Sequence, residues 1–183
     1  MHRKIRTVVL CFVLLVCARK GNAQTSDSLN WEASRKLRWA DFLGMPDEHT
    51  IFGARTFTAL RYKLYDNDTG CRVVVRCIFL KMMSWRSDKD TTTYALQHEQ
   101  GHFDISELYA RKLRKAFGEY HYVKRSVHHD VAAIFEQICA EKTAFNNLYD
   151  KETIHSLNRV KQQEWIAKIA AVLDSLQEFA QNK

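Results

Sequence analysis

The segment His98-Glu99-Gln100-Gly101-His102 places two histidines four residues apart, with a glutamate directly after the first. Apolar residues recur at helical spacing on both sides of this segment, which predicts that it lies within a helix. Residues four apart on a helix have Cβ atoms roughly 5 to 6 Å apart, so both imidazoles can reach one metal ion. The segment therefore predicts a metal site built on one face of a helix.

Glu99 projects at a different angle around the helix from His98 and His102, so we expect it beside the metal ion and not as a ligand. In that position its carboxylate can accept a proton from a water molecule that the metal activates. Two imidazoles suit tetrahedral zinc, and we therefore predict Zn²⁺ as the cofactor and Glu99 as the catalytic base of a hydrolytic reaction. The alternative is a chance spacing in a chain that has 8 histidines among 183 residues.

A catalytic zinc ion normally has three protein ligands, so a third is expected from later in the chain. We predict His155, because it lies at the boundary between two predicted helices, where a loop side chain can turn towards the metal. Asp150 is the second choice. The full set of candidates comprises His128, His129, Asp130, Glu136, Glu141, Asp150 and His155, together with Asp104 and Glu107 of the motif helix itself.

Helical geometry removes several of these candidates. Asp104 and Glu107 lie well round the helix from the two motif histidines, and Glu107 is placed to pair with Arg111 at i+4. His128 and His129 are adjacent, so they point to different sides of a helix, and we expect them at the protein surface.

The first 23 residues have the pattern of an export signal. Basic residues at positions 3, 4 and 6 precede an apolar run over residues 7–18, which is too short to span a bilayer comfortably. Small residues at Gly21 and Ala23 suit cleavage after Ala23. We therefore expect an exported protein, periplasmic or secreted, with a retained membrane anchor as the alternative.

The net charge of the whole chain is +7, from 28 basic and 21 acidic residues. Five of the basic residues and none of the acidic ones lie in residues 1–23, which leaves 23 basic against 21 acidic residues, or +2, in residues 24–183. The positive charge of the whole chain therefore does not indicate a nucleic-acid partner. We expect a peptide or protein substrate, no nucleic acid, and no stable membrane span after signal cleavage.

The mature chain, residues 24–183, has a length suited to one domain. Apolar and β-branched residues predict two strands joined by a turn at residues 66–70, and the second strand is apolar on both faces, which favours a position inside its sheet. Three helices follow, so we predict an α+β domain with a small antiparallel sheet before the helical half. The predicted strands cover residues 54–65 and 72–83, and the predicted helices cover residues 91–117, 127–148 and 156–180.

Three cysteines remain in the mature chain, at positions 71, 77 and 139. Cys71 and Cys77 lie six residues apart in one predicted strand, about 20 Å, which excludes a disulfide between them. No pair has the spacing of a zinc knuckle, so we interpret all three as core residues, with at most one disulfide, from Cys139 to one of the others.

The residues around the motif, His98 to Ile105, resemble a family of bacterial exported proteins described as secreted zinc-dependent proteases. The resemblance extends upstream to residues 37–42, Gly44, Pro46 and the strand ending in Ser84-Trp85, and downstream to residues 149–155 with Gln162, Gln163 and Trp165. It implies a zincin-like fold and a zinc site. In that family a glycine often follows the downstream histidine, whereas this chain has Ser156 there.

The sequence thus favours an exported zinc-dependent peptidase that uses a metal-activated water. Two other functions remain open at this point. One is a noncatalytic metal-binding protein of the cell envelope, which a closed shell of four protein ligands would favour. The other is an amidase acting on cell-wall peptides, which uses similar metal chemistry.

Overall fold

A computed structural model of the chain describes residues 27–46, 50, 52–87 and 91–182. Strands come first and helices follow, so the α+β class and the small antiparallel sheet are confirmed. In chain order the elements are β1 (Ser28–Asn30), β2 (Ala54–Arg55), β3 (Thr58–Asp66), β4 (Cys71–Leu80), β5 (Trp85–Arg86), α1 (Thr93–Gly118), α2 (Val127–Thr153) and α3 (Arg159–Ser175), with 3₁₀ turns at Trp39–Asp41 and Gln177–Phe179.

The main sheet has the order β1-β4-β3, with both neighbours antiparallel to β4. The central position of β4 confirms the prediction made from its two apolar faces. Val75 and Phe79 of this strand are fully buried. A second, two-stranded sheet pairs β2 with β5, and the backbone of Arg55 lies opposite that of Trp85.

Several predicted boundaries were wrong. The predicted strand over residues 54–65 is two strands, because β2 pairs with β5 whereas β3 pairs with β4. Helix α2 continues to Thr153 and not to residue 148, since Tyr149 and Thr153, one turn apart, are both fully buried against the core. Helix α3 begins at Arg159 and not at residue 156, with Asn158 as its N-cap. Strands β1 and β5 were not predicted, because segments of two or three residues carry too little periodicity.

Helix α1 lies between the sheet and the other two helices, with contacts to β4, α2 and α3. Its N-cap is Thr92, whose hydroxyl accepts a hydrogen bond of 3.1 Å from the Ala95 amide, and it ends at Gly118, one residue beyond the predicted end. Apolar residues on several sides of α1 are buried, among them Phe103, Ile105 and Leu113. A helix buried on this many sides holds its side chains in fixed positions, which suits it to carry the metal motif.

None of the helices in the described part of the chain combines the length and the apolar character that a bilayer crossing requires. The predicted export signal at residues 1–23 lies outside the described residues. Cys71, Cys77 and Cys139 are free thiols. Cys77 is buried in the core as predicted, whereas Cys71 and Cys139 are only partly buried, so the interpretation of all three as core residues was wrong for these two.

Candidate metal centre

The two motif histidines point at the same carboxylate oxygen. His98 Nε2 lies 3.2 Å from Asp150 Oδ1, and His102 Nε2 lies 3.1 Å from the same atom. Asp150 comes from the last turn of α2, more than fifty residues after His98 in the chain. The packing of α2 against α1 therefore brings two imidazoles and one carboxylate together, as the only group in the described residues that could hold a metal ion.

The other nitrogen of His102 is held by a side chain of α2. His102 Nδ1 lies 3.0 Å from Asn146 Oδ1, and an amide oxygen can only accept a hydrogen bond, so Nδ1 carries the proton. With Nδ1 protonated, the proton that the ring can lose is the one on Nε2, which faces Asp150, and its loss frees a lone pair for a metal ion. Asn146 precedes Asp150 by one helical turn, so a single face of α2 supplies both groups.

Tyr149 fixes the spacing between the two helices at the site. Its ring stacks on His98 with 4.6 Å between centroids and an interplanar angle of 16°, and its hydroxyl donates a hydrogen bond of 3.2 Å to the His98 carbonyl. A Cβ atom at Gly101 would lie 2.5 Å from the Tyr149 hydroxyl oxygen, so the glycine allows this close approach. Tyr149 is fully buried, which fits core packing and not the oxyanion-stabilising role open to an exposed tyrosine.

Glu99 is buried at 6% exposure and faces the same cavity as the metal group. Its Oε2 atom has no hydrogen-bond partner among the residues that the structure describes. A buried carboxylate oxygen without a partner costs free energy, on the order of 1 to 3 kcal/mol or more for a charged group. Such a group is what a catalytic base needs when its partner is supplied by the substrate or a water molecule.

Burial and hydrogen bonding act in opposite directions on the pKa values of the three residues in the metal group. Burial lowers the pKa of His98, and its hydrogen bond with Asp150 offsets only part of this. Burial acts the same way on His102, but the hydrogen bond with Asp150 and the nearby negative charges outweigh it and raise the pKa of His102. Burial opposes ionisation of Asp150 as well, yet the hydrogen bonds with His102 and His98 hold the pKa of that carboxyl well below its usual range. Asp150 is therefore an anion at neutral pH, as a metal ligand must be.

His155, the predicted third ligand, lies beside Asp150 and not in place of it. Its Nδ1 atom is 3.4 Å from Asp150 Oδ1, half of its side chain is exposed, and its ring packs on Phe52 at 4.7 Å between centroids. The structure thus brings both candidates for the third ligand to the site, with Asp150 closing the group of three donor atoms. His155 as a ligand stays a prediction.

The loop that carries His155 is strained. Residues Ile154, His155 and Ser156 all have positive φ, at 51°, 46° and 73°, in the left-handed region that favours glycine. Each such residue costs on the order of 1 kcal/mol or more. A glycine at position 156 would adopt the φ of 73° without this cost.

The remaining candidate ligands lie elsewhere. The imidazoles of His128 and His129 are 75% and 87% exposed, as predicted for surface residues. Asp130 accepts hydrogen bonds from Tyr120 and Ser126 at 2.8 and 2.6 Å. Glu107 pairs with Arg111 at 3.1 Å, as predicted from the i+4 spacing. The other candidates, Asp104, Glu136 and Glu141, do not belong to the group of donor atoms.

A cleft of about 650 Å³ opens onto the metal group. Helix α1 supplies Ala95 and the three motif side chains, α2 supplies Lys142, Thr143, Asn146 and Asp150, and the loop after α2 supplies His155 and Ser156. The remaining wall is the extended segment 52–58, which contains β2. The volume is within the range of about 300 to 1,000 Å³ that is typical of small-ligand and substrate sites.

The donor set fits a zinc ion. Ligand atoms at about 2.0 to 2.1 Å from zinc in a tetrahedron lie about 3.3 Å from one another, close to the observed 3.2 and 3.1 Å between the ring nitrogens and Asp150 Oδ1. Imidazole nitrogen is also a ligand type that zinc, a borderline-soft ion, prefers. Two imidazoles and one carboxylate would leave the fourth position of a tetrahedral zinc ion without a protein ligand.

Sequence reasoning did not single out Asn146 or the presence of Lys142 and Arg55 in the cleft. For the two residues of α2 the spacing held part of the signal, because Lys142, Asn146 and Asp150 follow one another at intervals of four. Comparison of the chain with protein-family models, curated proteins and solved structures finds no match. The functional interpretation therefore depends on the geometry of this site.

Proposed function

We propose that this protein is an exported zinc-dependent peptidase with a zincin-like fold, in which His98, His102 and Asp150 would hold the metal ion. The observation that carries the proposal is the convergence of both motif imidazoles on one carboxylate oxygen, at 3.2 and 3.1 Å, in the floor of a cleft. Glu99, in the same cleft with a buried oxygen that lacks a partner, supplies the base.

The zinc ion and the side chains would have different parts in the reaction. Zinc, when bound, would polarise the scissile carbonyl and acidify a water molecule. Glu99 accepts the proton of that water on its carboxylate and later passes it to the leaving amine. Asn146 holds the His102 ring in the tautomer that leaves Nε2 free, and Tyr149 holds the His98 backbone. These two residues keep the imidazoles in place while Glu99 moves the proton.

The segment 52–58 gives a peptide substrate a place to bind. In the described part of the chain β2 has a strand partner on one side only, β5. An extended peptide could add to the other edge through backbone hydrogen bonds. Such an arrangement would hold the scissile bond over the metal group, because the same segment lines the cleft together with Glu99 and His98.

The proposal is tested by measuring zinc content and peptide hydrolysis in matched variants. Glu99→Gln should retain zinc and lose about 10² to 10⁴ of the turnover rate, because only the proton acceptor is removed. His98→Ala and Asp150→Ala should both lose zinc. A Glu99→Gln protein with undiminished turnover, or a wild-type protein that hydrolyses no peptide when loaded with zinc, would contradict the peptidase proposal.

A noncatalytic metal site is the second candidate, and the position of His155 favours it. His155 Nδ1 lies 3.4 Å from Asp150 Oδ1 but outside the group of three donor atoms, so its ring would have to turn towards the metal ion to act as a fourth protein ligand and leave no position for water. In that case His155→Ala would lose zinc as Asp150→Ala does. In a catalytic site with three ligands, one of these two variants keeps its zinc.

The third function considered is a cell-wall peptide amidase. Such an enzyme would hydrolyse peptidoglycan fragments and not a general protein substrate such as casein.

A further inference from the structure

The cleft carries two cations that the proposed mechanism does not use. Lys142 enters it from α2, and Arg55 enters it from β2 on a different wall. Within the part of the chain that the structure describes, neither side chain makes an ion pair or a hydrogen bond, although the Arg55 guanidinium lies 4.8 Å over the Phe57 ring. The acidic residues of the cleft are Glu99 and Asp150, and both have roles at the metal centre.

The surroundings of Lys142 supply no counter-charge. Burial lowers the pKa of Lys142, since its ammonium group loses part of its hydration. The ionisable groups that act on it are the thiols of Cys77 and Cys139, and burial raises the pKa of both, so that they remain neutral. A half-buried ammonium group without an anion is costly, and an anion that arrives with a ligand removes that cost.

Lys142 lies on α2 two helical turns before Asp150 of the metal group. Lys142, Asn146 and Asp150 occupy successive turns of one face of α2, so the Cα atoms of Lys142 and Asp150 lie about 12 Å apart at 1.5 Å per residue. An extended peptide covers this distance in about three to four residues. One extended peptide can therefore place a group at Lys142 and, a few residues away, the bond over the metal.

We propose that the cleft selects substrates with a carboxylate a few residues from the scissile bond, which Lys142 and Arg55 bind as specificity-determining residues. The carboxylate can be an aspartate or glutamate side chain or the C-terminus of a short peptide. This inference rests on the proposed function, because it assigns a substrate class to that same cleft. A charge-assisted hydrogen bond to a desolvated ammonium group makes the preference large enough to measure.

The test measures binding separately from hydrolysis. Fluorescently labelled peptides are titrated into zinc-loaded Glu99→Gln protein, and anisotropy gives the dissociation constants. One series moves a single glutamate or its glutamine counterpart along the peptide, and a second series compares a free C-terminal carboxylate with an amide. The best glutamate or free-acid peptide should bind about tenfold more tightly than its neutral partner, with the difference decreasing at high salt.

Substitutions assign the preference to its residues. Adding Lys142→Gln should remove most of the difference, and Lys142→Glu should reverse it in favour of lysine-containing peptides. Arg55→Gln should reduce it independently. The matched control is Lys63→Glu, which makes the same change of charge on an exposed residue of β3 outside the cleft and should leave the preference unchanged.

The two proposals fail in different ways. Equal affinity for acidic and neutral peptides, or a preference that survives Lys142→Glu, would overturn the assignment of Lys142 while leaving peptide hydrolysis by the wild-type protein intact. An acidic preference in binding together with no hydrolysis by the wild-type protein would overturn the peptidase proposal and keep the carboxylate site. The side-chain and C-terminal series separate the two sources of the carboxylate, and a preference in either series supports the inference.

Discussion

Helix α1 carries two buried polar clusters that differ in how completely their atoms are paired. The cluster in its second half, Glu107 with Arg111 and Arg114, is almost closed: Glu107 Oε1 accepts hydrogen bonds of 3.1 and 2.9 Å from the two arginines. The arginines also donate to backbone carbonyls of residues 173, 179 and 75. Among the described residues, one buried atom of this cluster, Arg114 Nε, lacks a partner.

The cluster in the first half of α1 is open. His98 Nδ1 and Glu99 Oε2 are buried without partners among the described residues, and a cleft adjoins them. Both clusters lie on the same helix at similar burial, so depth does not explain the difference. Paired buried charges hold the fold together, whereas buried groups that are left unpaired next to a cavity are available for binding and chemistry.

Breaking the closed cluster should have the largest effect on stability. Glu107→Gln leaves two buried guanidinium groups without their anion, and we expect it to lower the free energy of unfolding by about 3 kcal/mol. Urea denaturation followed by circular dichroism measures this. Zinc binding by the folded fraction should stay at its wild-type level. The control is Glu119→Gln, which removes the exposed partner of Lys115 and should cost less than about 0.5 kcal/mol. Equal losses for both variants would contradict the stabilising role of the closed cluster.

Changing the contact between α1 and α2 should have an intermediate effect that reaches the open cluster. Gly101→Ala places a methyl group 2.5 Å from the Tyr149 hydroxyl oxygen, and the buried ring has little room to move. We expect a loss of about 1 to 3 kcal/mol of stability, together with weaker zinc binding, because Asp150 follows Tyr149 directly.

Gly118→Ala is the matched substitution at the other end of the same helix. Nothing lies within 4 Å of the added Cβ atom there, so stability should be unchanged or slightly higher. The idea that Gly101 sets the helix spacing would be abandoned if its alanine variant matched Gly118→Ala in both stability and zinc affinity.

Loosening the open cluster should have the smallest effect on stability. Asn146→Ala removes the acceptor that holds His102 Nδ1, and we expect zinc affinity to fall about 10- to 100-fold, measured by competition with a chromogenic chelator. The free energy of unfolding should change by less than about 0.5 kcal/mol, because the side chain is only partly buried. Thr143→Ala serves as the control, since Thr143 lines the cleft but its hydroxyl bonds to the Cys139 carbonyl. An unchanged zinc affinity for Asn146→Ala would remove Asn146 from the site.

The fold class and the start of the site could be predicted from short-range patterns. The apolar faces of β4 and the extent of α1 are local signals, because capping and amphipathic spacing act within a few residues. The pairing of Glu107 with Arg111 follows from helical spacing for the same reason. The division of residues 54–65 into two strands was not predictable, since it depends on which partner strand each half meets.

The sequence by itself determined that two histidines and a glutamate share one region of a helix surface, because the helical repeat is a local property of the backbone. Only the tertiary structure decided which residue at or after the end of α2 meets them. Asp150 and His155 were both candidates, and the packing of Tyr149 over Gly101 brings the Asp150 oxygen to the two rings at 3.2 and 3.1 Å, with His155 behind it. Contacts between residues some fifty positions apart depend on how whole surfaces fit together, and no short window of sequence contains that information.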